Sequence, residues 1–360
     1  MFTKIKGIPS SIISELSEAH LRKYHKRMAL DSLKELRSNC KLTKQEKNSI
    51  REYWKRLDSK CEDSWHRLYK KVNGFDRRYV PNDVYGLEII TRLNSTSMLS
   101  EWDDKSYYPR FFPDVKQPDF IGCCIDGCFY DADYRLVNRD FLANNIIERK
   151  EGVIVKPSFG LEGRGVQFWK ELNLEELKSN LLHFGNNFVI QEPIKQHSSL
   201  AAYNYSSVNP IRVMTLRLNG KIHYLHSTLR FGTPGSITDI NFVDNKEVAS
   251  VCAISDRGEV ATVFYDLDGH KESITKVGID FANKIPDFQK VIDMALFVHS
   301  GLHHFDLIGC DISVTSDGEP VLIEYNVYWP GIIIPQFCHG PLFGDLTEEV
   351  MFTLQRMPKK

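Results

Sequence analysis

The chain has 360 residues, 42% of them apolar and 26% charged, with a formal net charge of −1. That composition excludes a disordered or fibrous chain and leaves length for two or three subdomains around sizeable cores. No apolar run approaches the roughly 20 residues that a membrane-spanning helix needs. The first residues, MFTKIKGIPSSIISELSEAH, carry neither the apolar stretch nor the cleavage site of a signal peptide. Eight scattered cysteines (Cys40, Cys61, Cys123, Cys124, Cys128, Cys252, Cys310, Cys338) form no framework, which points to reduced thiols and a cytoplasmic address.

The charge is uneven. Residues 1–71 hold 18 Lys/Arg against 9 Asp/Glu, a net +9, so the remainder carries −10. Such a front end suits an anionic neighbour (nucleic acid, a membrane surface or a phosphorylated carrier), or it is a pair of solvated helical faces. Apolar residues at helical spacing predict a helix over 10–38. A second follows in LTKQEKNSIREYWKRL, with Thr43 as N-cap and Glu46 completing a capping box.

From YVPNDVYGLEII onward the texture becomes short β-like runs alternating with helices, an α+β pattern. In EWDDKSYYPRFF, Lys105 falls where a helix begins behind an Asp103-Asp104 cap; a lone lysine there is ordinarily a solvated charge. Strands are expected at 118–124, 152–157, 165–169 and 187–192, and helices near 138–148 and 173–183. The cluster IGCCIDGC has no nearby histidine and reads as buried thiols on strands rather than a zinc site.

In VIVKPSFGLEGRGVQFW a strand ending at Lys156 runs into a loop holding Gly160, Gly163 and Gly165. Glycines let successive N–H groups line one concavity that binds phosphate. The loop is neither Walker A nor Rossmann, and alone it is equally a turn. FVIQEPI brings a strand end to Gln191-Glu192-Pro193, which could meet an adenine edge. After Pro210, two strand runs flank Asn219-Gly220, a hairpin signal, and PDFQKVIDMALFVHSGL is an amphipathic helix.

DLIGCDISVTSDGEPVLIEYN then reads as a second hairpin. A two-residue turn at Asp317-Gly318 sets Asp311 opposite Glu324, with Asn326 on the same face. Like charges directly opposed are destabilising. Asp, Glu and Asn oxygens on one face are hard-cation ligands, and Mg²⁺ takes one or two carboxylates plus substrate phosphates. A bound cation would therefore neutralise the pair; the plain alternative is a polar face meeting solvent.

The order of lysine, lysine with a glycine-rich loop, a QE-type strand end, arginines and then D…ExN resembles the ATP-grasp superfamily, most closely its subgroup associated with sugar-transfer loci for capsular and cell-surface polysaccharide. The resemblance covers about residues 80–345. It implies an α+β fold clasping ATP between two subdomains: a helical basic region at 1–78, an N-terminal part with the small lid subdomain at 79–194, and a large subdomain with the metal hairpin at 195–350. By the same resemblance Lys105 and Lys156 match the lysines that contact the nucleotide phosphates. Ser158–Gly165 (with Gly160 and Gly163) matches the lid, and Gln191, Glu192 and Ile194 the adenine linker, with His197 toward the ribose. Asp311, Glu324 and Asn326 match the ligands of Mg²⁺ (Mn²⁺ as substitute), and Arg212 and Arg230 match basic residues near the transferred phosphoryl group. The implied activity joins a carboxylate to an amine through an acylphosphate, in polysaccharide biosynthesis, with an anionic carrier or membrane surface as partner. A kinase of the same fold and a non-catalytic nucleic-acid or scaffold protein are the rivals; the retained site residues speak against nucleic acid. One departure stands out: Glu247-Val248-Ala249, in FVDNKEVASVCAIS, replaces a Gly-Gly pair expected of the subgroup.

Overall fold

The computed structural model describes residues 10–57, 60–160, 163–243, 246–274 and 284–359. Contacts divide the chain into two units, each considered by itself. The first comprises Met1–Leu93, Asp268–His270 and Gly331–Lys360. It is helical, with Ser10–Glu35, Lys44–Trp54 and Ser64–Asn73 as its longest elements. Thr43 caps the second as its sequence predicts. The Thr43 hydroxyl accepts from Glu46 N at 3.2 Å, and the Glu46 carboxylate accepts from Thr43 N at 2.6 Å. Trp54, Trp65 and Tyr69 are buried at its centre.

The second unit holds Asn94–Leu267 and Lys271–Pro330. Its first sheet is built from β1 (Phe120–Ile125), β2 (Cys128–Asp131), β3 (Leu136–Val137), β4 (Val153–Pro157), β5 (Gln167–Trp169) and β6 (Phe188–Gln191), in the order β3-β2-β1-β6-β4-β5. The helices Arg139–Ile147 and Leu174–His183 contribute Leu142, Ile146, Leu177 and Leu181 to a core with Val153, Val155, Phe188 and Ile190. Every strand and helix expected between 118 and 192 is therefore present, with ends shifted by no more than two residues. Of the cysteine cluster, Cys123 and Cys124 are buried, but Cys128 opens β2 in an exposed position; all are free thiols.

The remaining strands are β7 (Ile211–Leu218), β8 (Lys221–Phe231), β9 (Asn241–Val243), β10 (Lys246–Val248), β11 (Ser250–Ile254), β12 (Val260–Tyr265), β13 (Lys271–Ser273), β14 (Leu307–Val314) and β15 (Pro320–Asn326). Seven form a sheet ordered β13-β12-β11-β8-β7-β14-β15, and β9 pairs with β10 alone. At the β7–β8 turn Asn219 and Gly220 both have positive φ (+50° and +77°), as a two-residue hairpin of the expected kind requires.

Alternation along the strands gives each sheet two chemically distinct faces. In the seven-stranded sheet Ile211, Val213, Leu229, Cys252, Ile308, Cys310 and Ile312 point to a core shared with the helix Phe288–Gly301. Register puts Arg212 beside Thr228 and Asp311, and Asp311 beside Glu324, on the opposite face. In the six-stranded sheet Lys156 pairs with Val189 and Ile154 with Gln191, so Lys156 and Gln191 share the face turned away from the helices. Each sheet thus has an apolar back and a front that carries charge.

Candidate active site

The site is assembled on these fronts. The C-terminal hairpin has the predicted pairing for an unpredicted reason. Thr315 N donates to Glu319 O, closing a three-residue loop in which Gly318 has φ +86°. Beside the loop Ile312 therefore pairs with Leu322, one residue off the two-residue-turn register. A bulge at Ile323 then restores the offset, and Asp311 faces Glu324 while Gly309 faces Asn326.

The opposed carboxylates are compensated by the chain itself. Asp311, 1% exposed, accepts a fork from Arg212: Nε to Oδ1, and Nη2 to Oδ2 at 2.7 Å. Arg230 Nη2 adds a third contact to Oδ2 at 3.3 Å. Burial works against the Asp311 charge, but the Arg212 and Arg230 guanidiniums outweigh it and hold its carboxyl below the ordinary carboxylate range. Gly309 makes room for this fork, since a Cβ there would lie 2.9 Å from Arg212 Cδ and 3.0 Å from Met214 Sδ.

Glu324 pairs with Lys105, Nζ to Oε2 at 3.5 Å. Lys105 is not the solvated charge its sequence setting suggests: it is 7% exposed and opens a short 3₁₀ turn, Lys105–Tyr107, capped by Asp104 alone. Its backbone N donates to Ser158 O (3.0 Å) and its Nζ to Gly160 O (3.1 Å). The segment thus ties the end of β4 and the glycine-rich loop to the hairpin of the other sheet. Lys156 is partly buried and makes no ion pair among the described residues; burial pushes its ammonium down to about 8, with Glu324 opposing and Lys105 reinforcing the shift.

Two observations bear on whether ATP and a divalent cation fit here. Among the described residues Ser158 Oγ is buried beside Lys156 and Gly160 with no hydrogen-bond partner, a hydroxyl whose unmet donor a phosphate oxygen could satisfy. Gly160, Gly163 and Gly165 all have positive φ (+134°, +68°, +77°), backbone that glycine adopts without strain. Leu161 and Glu162 of this loop lie outside the described residues. For a cation, the donors on the hairpin face are hard oxygens: Asp311, Glu324 and the Asn326 carbonyl, whose Nδ2 is turned to Gly309 O at 3.4 Å. Among the described residues no trio of His, Cys, Asp or Glu gathers as a metal cluster, so any cation would rely on Asn326 and on substrate oxygens. Both groups fit the donors present.

The adenine-side residues are committed locally. Gln191 is buried on the front face beside Ile154. Glu192 forms an ion pair with Arg149, and its N donates to Asp119 O. His197 caps the short helix Ser198–Ala201 through Nδ1, and its N donates to Val314 O at 2.8 Å. Ile194 lies in the extended stretch between them, half-buried. Among the described residues no side-chain hydrogen bond or ion pair joins these four to the charged cluster.

Two carboxylates escaped the sequence reading. Asp103 is raised to about 6, chiefly by burial, with Glu324 and Asp104 adding and Lys105 opposing. Asp239 accepts from Arg230 Nε across a nine-residue loop. In the sequence Asp103 looked like half of a helix cap, and nothing local marks Asp239. Glu247, at the departure from the expected Gly-Gly pair, accepts from Arg164 at 2.9 Å; the preceding Asp244 and Asn245 lie outside the described residues.

Two sheets and this array of lysines, arginines and carboxylates define an ATP-grasp protein, from a superfamily built around ATP-dependent ligation. The chain belongs to the family described as sugar-transfer associated ATP-grasp, whose profile matches residues 87–350, more than half of its length. Among solved structures it is similar to D-alanine–D-alanine ligase from Bacillus anthracis (16% identity over 73% of this chain and 70% of that one, TM-score 0.41). It is also similar to VanG D-Ala:D-Ser ligase from Enterococcus faecalis (11%, 70% and 61%, TM-score 0.43) and to D-alanyl-alanine synthetase A from Vibrio cholerae O1 (11%, 73% and 67%, TM-score 0.45). The chain spans less than two thirds of the VanG ligase. No curated protein sequence matches it.

Proposed function

We propose that this protein is an ATP-dependent carboxylate–amine ligase acting in the cytoplasm on a sugar acid or amino acid of capsular or cell-surface polysaccharide synthesis. The observation that carries the reading is the convergence of Lys105, Glu324, Asp311, Arg212 and Arg230 from four separate parts of the chain, with Ser158 Oγ left without a partner beside them. Attack of a carboxylate on the γ-phosphorus of ATP sets anion against anion, so the site must supply positive charge. Lys105 and Lys156 would meet the phosphates, and Arg212 and Arg230 the transferred group and the incoming carboxylate. Gln191, Glu192 and Ile194 would hold adenine, with His197 toward the ribose. Asp311, Glu324 and Asn326 would hold Mg²⁺ or Mn²⁺, which when bound polarises phosphoryl oxygens. The loop around Gly160–Gly165 would exclude water that hydrolyses the acylphosphate. The amine then displaces phosphate to give the amide.

Among the described residues no helix is long and apolar enough to cross a membrane. In the first unit many cations are spent internally, as in Arg22–Asp83, Lys26–Glu62, Lys47–Asp63 and Lys70–Glu46. We assign the exposed Lys44, Arg51, Lys55 and Lys60 to an anionic carrier or membrane surface; vesicle binding should then weaken steeply with salt, and salt-independent binding would refute it.

The test of the activity is ATP and Mg²⁺ with a panel of uronic acids and amino acids, with and without amines, reading ADP, phosphate and product mass. A ligase needs both partners and shows a condensation mass. A single hydroxyl substrate that gains a phosphoryl group would make the protein a kinase. Arg212→Ala should lower the rate by about 10²–10³, and Glu324→Ala should leave only background.

A further inference from the structure

Arg230 is held from two sides, and only one of its anchors belongs to the hairpin. Its Nη2 reaches Asp311 at 3.3 Å, a long contact to an oxygen already bound by Arg212. Its Nε donates to Asp239 in a closer contact. The two carboxylates raise the guanidinium's hold on its proton although burial opposes it.

The loop that presents Asp239 is built rather than incidental. Gly232 allows it to fold back: a Cβ there would lie 2.6 Å from Thr238 O and 2.7 Å from Ser236 Oγ. Asn241 bridges its ends, with Oδ1 accepting from Thr233 N and Nδ2 donating to Thr233 Oγ1. Ser236 Oγ donates to Thr238 O at 2.7 Å, and Thr238 Oγ1 donates to Ile240 O at 2.7 Å. From outside, Asn204 Nδ2 donates to Thr233 O, and Gly235 N donates to Ser206 Oγ. Thr238 also closes on the glycine-rich loop, where a Cβ at Gly163 would lie 3.1 Å from its methyl carbon. A loop cross-linked this densely fixes its carboxylate as well as its backbone.

We propose that Asp239 is a positioning residue: it fixes the Arg230 guanidinium independently of Asp311, leaving Arg230 in place whatever else Asp311 comes to bind. Without Asp239, the Arg230 side chain would have, among the described residues, only the 3.3 Å contact to a carboxylate that Arg212 already occupies. Asp311 is Arg212's partner first; Asp239 is Arg230's. The structural half of this proposal stands alone, and its kinetic half rests on the ligase reading.

The first experiment separates the two. The Arg Nε–Hε resonances of the full-length ¹⁵N-labelled protein are recorded, and that of Arg230 is assigned by its loss in Arg230→Lys. The resonance should persist in Asp311→Asn, vanish into solvent exchange in Asp239→Asn, and return in Asp239→Glu. Persistence in Asp239→Asn, or loss in Asp311→Asn with the fold intact by near-UV circular dichroism, overturns the proposal. The second experiment is a double-mutant cycle on ADP release. Asp239→Asn should lower kcat about 10- to 100-fold with the ATP Kd, by calorimetry, within twofold. Added to Arg230→Ala, it should do no further harm. Losses that multiply would show that Asp239 acts by some route other than Arg230. If the wild type releases no ADP with any substrate, the ligase reading fails and the resonance result still decides the positioning.

Discussion

Lys156 shows how one side chain ties stability to the proposed chemistry. Its folded pKa is about 8, below its ordinary 10.5, because burial disfavours the ammonium. Between those values the unfolded chain holds a proton that the folded protein lacks, so stability rises as pH climbs through that window. Below about pH 8 the folded protein bears the full cost of a partly buried charge. Lys156→Met should therefore raise Tm at pH 7, and the gain should shrink by pH 10; calorimetry at both values checks it, and a variant melting lower at pH 7 contradicts it. If ATP phosphates restore the proton, ATP affinity should fall above pH 8 by up to about tenfold per unit. Lys156→Arg should abolish that dependence; identical profiles would dissociate Lys156 from the phosphates. The sequence exposed residues of this kind because a strand-end lysine before three glycines, or a carboxylate inside an apolar strand, is out of place. Asp239 and Asp103 stayed hidden because their partners are brought to them by a loop and a turn whose paths no local pattern encodes.

At the scale of elements, periodicity carried far. Four strands of the six-stranded sheet, β1, β4, β5 and β6, and both hairpins stand where alternation and turn residues put them, since a two-residue period with one buried face leaves little freedom; the short β2 and β3 carry no such signal. The C-terminal hairpin shows where such reasoning runs out. Its turn has three residues and its second strand one bulged residue, and these two departures cancel at the pair that matters. A bulge depends on local twist and on what each face buries, which spacing does not contain. The compensation of Asp311 was equally out of sight, since Arg212 lies 99 residues away. Strand packing makes its own prediction. Gly309→Ala would drive a methyl against Arg212 Cδ and Met214 Sδ, at 2.9 and 3.0 Å, on the sheet face where Arg212 is held by its fork to Asp311 and Met214 is fully buried. It should destabilise the second unit by about 1–3 kcal/mol, seen as a lower urea midpoint, and lower turnover as the Arg212 fork is displaced. An unchanged midpoint would mean that the Arg212 and Met214 side chains give way more easily than close packing allows.

For the whole molecule, the least legible feature is that the first unit is closed by the far end of the chain. Nothing in GIIIPQFCHG advertises a partner more than 250 residues earlier, because the pairing is one of shape and hydrogen bonds rather than of period. Its hub is Gln336, 0% exposed. The amide donates to Tyr69 OH (2.8 Å) and Val80 O (3.0 Å) and accepts from Val80 N (2.8 Å). Its backbone oxygen accepts from Asn73 Nδ2 at 3.1 Å. Leucine fills nearly the same volume and keeps the backbone contact to Asn73, but its side chain satisfies none of the groups that the amide binds. A buried donor or acceptor left unmet costs about 1–3 kcal/mol, and Val80 would lose a partner for both its N–H and its C=O. Gln336→Leu should therefore destabilise the first unit by about 2–5 kcal/mol, whereas the reverse intuition, that a buried amide gains from becoming apolar, predicts no change or a gain. Hydrogen exchange decides between them. Amides around Tyr69 and Val80 should exchange at least 30-fold faster in the variant, as about 2 kcal/mol demands. Protection equal to wild type would show that the cluster around Gln336 relaxes enough to satisfy Val80 another way, and that the C-terminal segment holds the unit by its apolar contacts alone.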